Sequence, residues 1–213
     1  MGLIAKKTGS DIKPVEEGVC IAICYALYDL GTHHDDRWNK SSHKVLVCWE
    51  IPDQRMHIER DGKQVDLPRA ISQKYTLSLH DKASLRKDLE AWRSKQFTPE
   101  ELKGFDLRAI LGKACQIQVV HKKVEDRVYA NIAAVMGLPK GMKPPVAENP
   151  LTFFSFEDSG EPPENTPEWI VELISDSEES KALARLANGE ADEMPPENGE
   201  QWGDPEDNDP IPF

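Results

Sequence analysis

Residues 70–94 read AISQKYTLSLHDKASLRKDLEAWRS, and a change of period inside them sets the fold class. Over 70–80 apolar and polar residues alternate. Ile71, Tyr75, Leu77 and Leu79 share one parity, while Ser72, Lys74, Thr76, Ser78 and His80 share the other. A half-buried strand has this period of two. From residue 81 onward Leu85, Leu89 and Trp92 recur at helical spacing, with Asp81 placed as an N-cap. A strand therefore hands over to a helix.

Upstream, 18–30 (GVCIAICYALYDL) is β-branched and aromatic without a helical stripe, and reads as a long first strand. A polar loop, 31–43, leads to a second strand, KVLVCWEI (44–51), closed by Pro52. Residues 55–59 and 64–67 flank Asp61-Gly62, a hairpin turn signal. Downstream, Thr98 and Glu101 form a capping box with Pro99 at the first helical position, and a short helix near 106–111 ends at Gly112. Two strands follow, 114–124 and 127–136, joined by a tight turn. The expected class is mainly β: a five-stranded OB-fold barrel with a helix between strands 3 and 4, plus a C-terminal acidic extension. A small sandwich is the competing architecture. In an OB barrel, strands 2 and 3 and the 1–2 and 4–5 loops bind oligonucleotides or oligosaccharides.

The formal charge of −12 over 213 residues argues at first against nucleic acid. By position it divides. Residues 1–149 hold 24 Lys+Arg and 20 Asp+Glu, a net +4, whereas 150–213 hold two basic residues, Lys181 and Arg185, against 18 acidic ones, a net −16. The expected organisation is an N-terminal arm (1–17), a binding domain (18–149), a partly helical acidic extension (150–189) and a disordered acidic tail (190–213). In the extension, Thr166 and Pro167 open a helix whose Trp169, Ile170, Leu173 and Ile174 share a face, and a second helix covers about 176–187. Phe153, Phe154 and Phe156 are placed to dock on the body. No apolar run is long enough to span a membrane, and the opening MGLIAKKTGSDIKP lacks the apolar core of a secretory signal.

The chain ends Asp207-Asn208-Asp209-Pro210-Ile211-Pro212-Phe213. An acidic run closing on Ile-Pro-Phe resembles the tail of bacterial single-stranded DNA-binding proteins. In that family the tip docks on replication and repair proteins. The resemblance implies partner-binding roles for Asp207, Asp209, Ile211, Pro212 and Phe213; Pro210 stands where the family has an acidic residue. The body is similar to a group of phage-encoded single-stranded DNA-binding proteins. The resembling stretches are Tyr28-Asp29-Leu30-Gly31-Thr32, Trp49-Glu50-Ile51-Pro52, Tyr75 to His80, and Leu85 to Phe97. This resemblance implies an OB-fold and a role in phage replication or recombination, in the cytoplasm of a host bacterium.

Binding single strands needs cations along the phosphates and rings for the bases. The candidates are Arg37, Trp38 and Lys40 in the 1–2 loop, Lys44, Arg55, Lys63, Arg69, Lys74 and His80 on or beside strands 2 and 3, and Lys122, Lys123 and Arg127 at the 4–5 turn. Tyr28, on a face with Cys20, Ala22, Cys24 and Ala26, is a further stacking candidate. Parity assigns Trp49 and Tyr75 to the core. Lys6, Lys7 and Lys13 add a basic arm.

Cys20 and Cys24 lie four residues apart on one strand, about 13 Å, too far to share one tetrahedral ion. Buried thiols are expected instead, and His33-His34-Asp35-Asp36 reads as a solvated loop. Asp53 with Asp61-Gly62-Lys63 imitates a nuclease carboxylate–carboxylate–lysine set, but a tight turn explains Asp61-Gly62 better. The expected function is thus non-enzymatic, without cofactor. It is single-stranded DNA binding, largely free of sequence preference, with partner proteins recruited by the tail. The rival is an acidic interaction or DNA-mimic protein that binds no DNA. Duplex binding and a homo-oligomer paired through a first or fifth strand are left open.

Overall fold

The computed structural model describes residues 13–37, 39–60, 62–125 and 127–188. Five strands form one curled antiparallel sheet, a half-barrel in the order β3-β2-β1-β4-β5. They are β1 (Gly18–Asp35), β2 (Lys40–Arg60), β3 (Lys63–Thr76), β4 (Ala114–Val124) and β5 (Arg127–Met136). The last two have the bounds expected from alternation. β3 and β5 approach each other without pairing.

The first three strands are longer than the sequence suggested. The expected 31–43 loop is mostly strand, since the pairing of β1 with β2 runs on to Asp35 and Lys40. Pro52 does not end β2. The strand crosses it by a register shift between Ile51 and Arg55, the kind of irregularity where a residue without an amide proton fits a sheet. β2 turns into β3 at the expected hairpin, with Gly62 at φ 72°; Asp61 lies outside the described residues. The alternation of β3 stops at Thr76, so Leu77 is exposed rather than inward.

Helix α1 (Ser84–Arg93) follows β3 and buries Leu85, Leu89 and Trp92 against β5 and β3. Asp81 does not cap it. Ala83 holds the N-cap position, and Asp81 instead pairs with Arg86. The Thr98–Glu101 capping box opens α2 (Pro99–Lys103) as expected. A 3-10 turn at Leu107–Ile110 then leads to Gly112, at φ 72°.

The inward core joins Val45, Val47, Trp49, Ile51, Ile71 and Tyr75 to Cys115, Ile117, Val119 and the α1 stripe. Trp49 and Trp92 lie with ring centroids 6.0 Å apart, and the Tyr75 hydroxyl donates to Asp88 at 2.8 Å. Part of the arm belongs here too. Val15 is buried in this core, and its carbonyl accepts from His121 at 2.8 Å.

A second core lies on the outward face of β1 and β2. Two register shifts in β1, at Tyr25 and Leu30, change which residues face which way. Ala22 and Cys24 join the inward core, while Ala26, Tyr28 and Leu30 join the outward cluster with Leu46 and Cys48. The extension covers them. A short strand, β6 (Thr152–Phe154), pairs parallel with Ala26–Tyr28 just where β4 leaves β1 at Ile23. Helix α3 (Glu168–Ser175) adds Ile170 and Ile174, and α4 (Glu178–Ala187) follows. Pro167, not Thr166, is the N-cap of α3, and Trp169 turns outward at 48% exposure. No described helix is long and apolar enough to cross a membrane.

Candidate nucleic-acid interface

The cations of the body fall into two sets. Arg55, Arg86, Arg93 and Arg108 are held in ion pairs: Arg55 with Asp66 and Glu148, Arg86 with Asp81 and Glu90, Arg93 with Glu101, and Arg108 with Asp158. Pairing by Glu148 and Asp66 raises the Arg55 guanidinium further above its ordinary range. Arg55 is thus part of the fold's framework. Arg69 is tied down as well, donating to the carbonyl of Lys13.

Lys40, Lys44, Lys63, Lys74, Lys122, Lys123 and Arg127 take part in no ion pair among the described residues. Their places follow from the sheet register. Lys44 pairs across β2–β3 with Thr76 and donates to its hydroxyl at 2.8 Å. Lys74 pairs with Leu46 on the same outward face. A groove brings Lys44 and Lys74 together with Arg37, His33 and His34, beside Asp35 and Asp36. Arg37 lies in the β1–β2 turn, where its amide donates to Asp35 at 3.0 Å. Lys40 opens β2 and Lys63 opens β3, both exposed. His80 lies beyond β3, exposed, its ring accepting from the Lys82 amide. Trp38, Lys6, Lys7 and the 207–213 tip lie outside the described residues.

At the β4–β5 hairpin Lys122 pairs with Tyr129, Lys123 with Val128, and Val124 with Arg127. Tyr129, Val128 and Val124 are each close to half exposed. Tyr129 is a ring beside cations on a strand end, which is what a base-stacking platform needs. The sequence reading passed over it. The signal available was its parity: Tyr129 and Lys122 fall on the polar side of their strands.

Tyr28 goes the other way. It is 4% exposed, enclosed by Leu46, Phe154, Ile170 and Ile174, so no base can reach it while the extension is docked. The extension is seated by two carboxylates of the sheet. Glu50, fully buried, accepts from the amides of Glu148 and Asn149 at 2.6 and 2.9 Å and from the Asn149 side chain at 2.6 Å. Asp29 accepts from the Gly31 amide at 2.9 Å, the Phe156 amide at 3.4 Å, and His43 Nε2 at 2.6 Å. The other ring nitrogen of His43 lies 3.6 Å from Glu179, which also accepts from the amide and hydroxyl of Thr32. Gly31 makes room for this contact. At φ 72° it is left-handed, and a Cβ there would come within 2.6 Å of Ser177 and Glu179. The stretches Tyr28 to Thr32 and Trp49 to Pro52, which carry part of the body's resemblance, are thus the sockets of the extension.

Charge in this network is mutually tuned. The hydrogen bond to Asp29 raises His43 above the ordinary imidazole range; burial opposes, and Asp29, Glu179 and Glu157 add to the rise. Burial pushes the Asp29 and Glu179 carboxyls up, but their hydrogen bonds and His43 outweigh it and hold both below the usual carboxylate range. The cysteines are reduced and largely buried. Burial, with help from Asp53, lifts Cys20 to about 11, and burial lifts Cys48 to about 12. Such thiols stay protonated and do not act as nucleophiles at neutral pH. Among the described residues no cluster of His, Cys, Asp and Glu has the geometry to hold a metal ion.

No protein-family model matches the chain, and no curated protein matches it at a significant level.

Proposed function

We propose that the protein is a non-enzymatic single-stranded DNA-binding protein whose half-barrel is an OB-fold, with α1 as its inter-strand helix and 150–188 as a docked acidic extension. The observation that carries this reading is the sorting of the cations. Arg55, Arg86, Arg93 and Arg108 are engaged by carboxylates, while Lys40, Lys44, Lys63, Lys74, Lys122, Lys123 and Arg127 are left without ion pairs among the described residues. Antiparallel pairing puts the β1–β2 turn at one end of the sheet and the β2–β3 and β4–β5 turns at the other. A strand laid between them meets Arg37, Lys44 and Lys74 first and Lys122, Tyr129 and Arg127 last. Phosphate contacts and a stacked ring make such binding tolerant of sequence and sensitive to salt. The 207–213 tip then recruits replication or recombination proteins, in the cytoplasm of a bacterium infected by or carrying a phage.

One observation favours the rival reading, an acidic protein that mimics or displaces DNA. Glu161, Glu164, Glu168, Glu172, Asp176 and Glu178 are exposed on the folded extension, so not all of the acidity lies beyond it. Titration of a labelled oligo-dT at two salt concentrations separates the readings. The full chain is expected to bind, more tightly at low salt. Tyr129→Ala should weaken it about tenfold, in keeping with loss of one stacked base. Failure of both the full chain and a chain ending at residue 188 to bind would sink the proposal and favour the mimic.

A further inference from the structure

The barrel core opens at one end into a cleft of about 480 Å³. Its walls are apolar, from Leu27 and Val45 on the sheet, Leu77 beyond β3, Phe105 and Leu107 before β4, and Phe153 in the extension. Its rim is acidic. Asp29, Asp106, Glu157 and Glu179 line it, and His43 is the one basic group beside them. Phosphate is repelled from such a site, so the cleft is no part of a DNA path. An apolar group accompanied by a cation fits it. A neighbouring contact has that chemistry: the Arg108 guanidinium, outside the lining, lies 4.3 Å over the Phe153 ring and pairs with Asp158.

The same chain carries a matching unpartnered element. α4 buries no residue, and its attachment to the sheet runs through polar contacts at its first turn: Glu178 with Ser41 and Glu179 with Thr32. Beyond that turn Leu183 and Leu186 are 42% and 63% exposed. Lys181 and Arg185, the two basic residues of the extension, lie on the same turns. Leu183 reaches only toward Gly160, and among the described residues no apolar surface covers Leu186, so this side of the amphipathic helix is largely unpartnered. Its own cleft cannot serve. Glu179 lines that cleft, and Leu186 lies seven residues farther along a rigid helix, about 10 Å away.

We propose that a second copy of this chain covers it: the last turns of α4 from each protomer enter the acidic cleft of the other. Leu186 and Leu183 meet Leu77 and the phenylalanine wall, and Arg185 meets Glu157 and Asp106 at the rim. Because donor helix and acceptor cleft adjoin in one protomer, a single two-fold axis satisfies both, and the contact closes as a dimer rather than a filament. The charge pairing also sets the direction in which the helix enters.

Sedimentation equilibrium of the full chain without DNA, from the micromolar range upward, tests this. A concentration-dependent dimer is expected. Leu186→Glu and Leu77→Glu, both at exposed positions, should each weaken dimerisation at least about tenfold while leaving the melting temperature of the monomer unchanged. Arg185→Glu should weaken it as well, and adding Glu157→Arg should restore it. A wild-type chain that stays monomeric throughout overturns the proposal. So does a dimer indifferent to both leucine variants, which would place the interface elsewhere. Loss of dimer on Leu77→Glu without any effect of Leu186→Glu would overturn α4 as the occupant.

Discussion

On its inward face the β1–β2 pair presents Val45, Val47, Trp49 and Ile51 to the barrel core, and on its outward face Tyr28, Leu46 and Cys48 to the extension. Both faces are buried, but by different means. The inward face is closed by strands and a helix whose apolar residues repeat at periods of two and 3.6. The outward face is closed by a segment held at named hydrogen bonds, Glu50 to residues 148–149 and Asp29 to residue 156. Burying Ile170, Ile174 and Phe154 contributes at most about 1.5–3 kcal/mol each. The charged anchors decide where that apolar surface lands. The extension thus completes the sheet, since Tyr28, Leu46 and Cys48 are covered by its residues.

The largest test of this difference removes one large side chain from each face. Leu89→Ala and Ile174→Ala each truncate a fully buried residue and should each cost about 2–5 kcal/mol. The expected difference lies in what loosens. Leu89→Ala should lower amide-exchange protection throughout β3, β5 and α1, whereas Ile174→Ala should lower it in 152–187 and leave β4 and β5 protected. Equal loss everywhere in both variants would mean that the faces fold as one unit. A smaller effect, about 1–3 kcal/mol, is expected for Glu50→Gln, which turns an amide donor toward one of the three donors Glu50 now satisfies. The amides of Glu148 and Asn149 should exchange faster, while any oligo-dT affinity, which the proposed function puts at the strand ends, should stay the same. A drop in DNA affinity would make the seating of the extension part of the proposed interface.

What was readable in the residues follows the same division. The α1 stripe, the capping box at Thr98, and the bounds of β4 and β5 all rest on local period or local hydrogen bonding, and these hold. The assignment of Tyr28 to an open face failed because β6 and α3 of the distant extension cover that face, while the register shift at Tyr25 moves Tyr28 off the side of Ala22 and Cys24. Glu50 read as part of a strand end. Its partners lie 98 and 99 residues away, a pairing no periodicity carries. Among the candidate binding residues, type alone could not separate Arg55 from Lys74. The separation comes from Glu148 and Asp66, which reach Arg55 only in the folded chain.

The smallest expected effect is a pH dependence confined to the outward face. His43 is raised by folding, so its contribution is complete below the ordinary imidazole value near 6.5 and is lost as pH rises through its higher folded value. Asp29 and Glu179 are lowered, so theirs is complete above the ordinary carboxylate values near 4 and is lost as pH falls through their lower folded values. α4, which has no buried residue and hangs on Glu179 and Glu178, should therefore be held most firmly at mildly acidic pH and loosen on either side. Amide exchange across 178–187, followed from pH 5 upward and corrected for intrinsic rates, should show protection falling as His43 deprotonates. His43→Gln should flatten that fall and leave the inward core unchanged. If protection of α4 tracks pH equally in His43→Gln, the imidazole does not hold the helix, and Thr32 with Glu179 and Ser41 with Glu178 suffice.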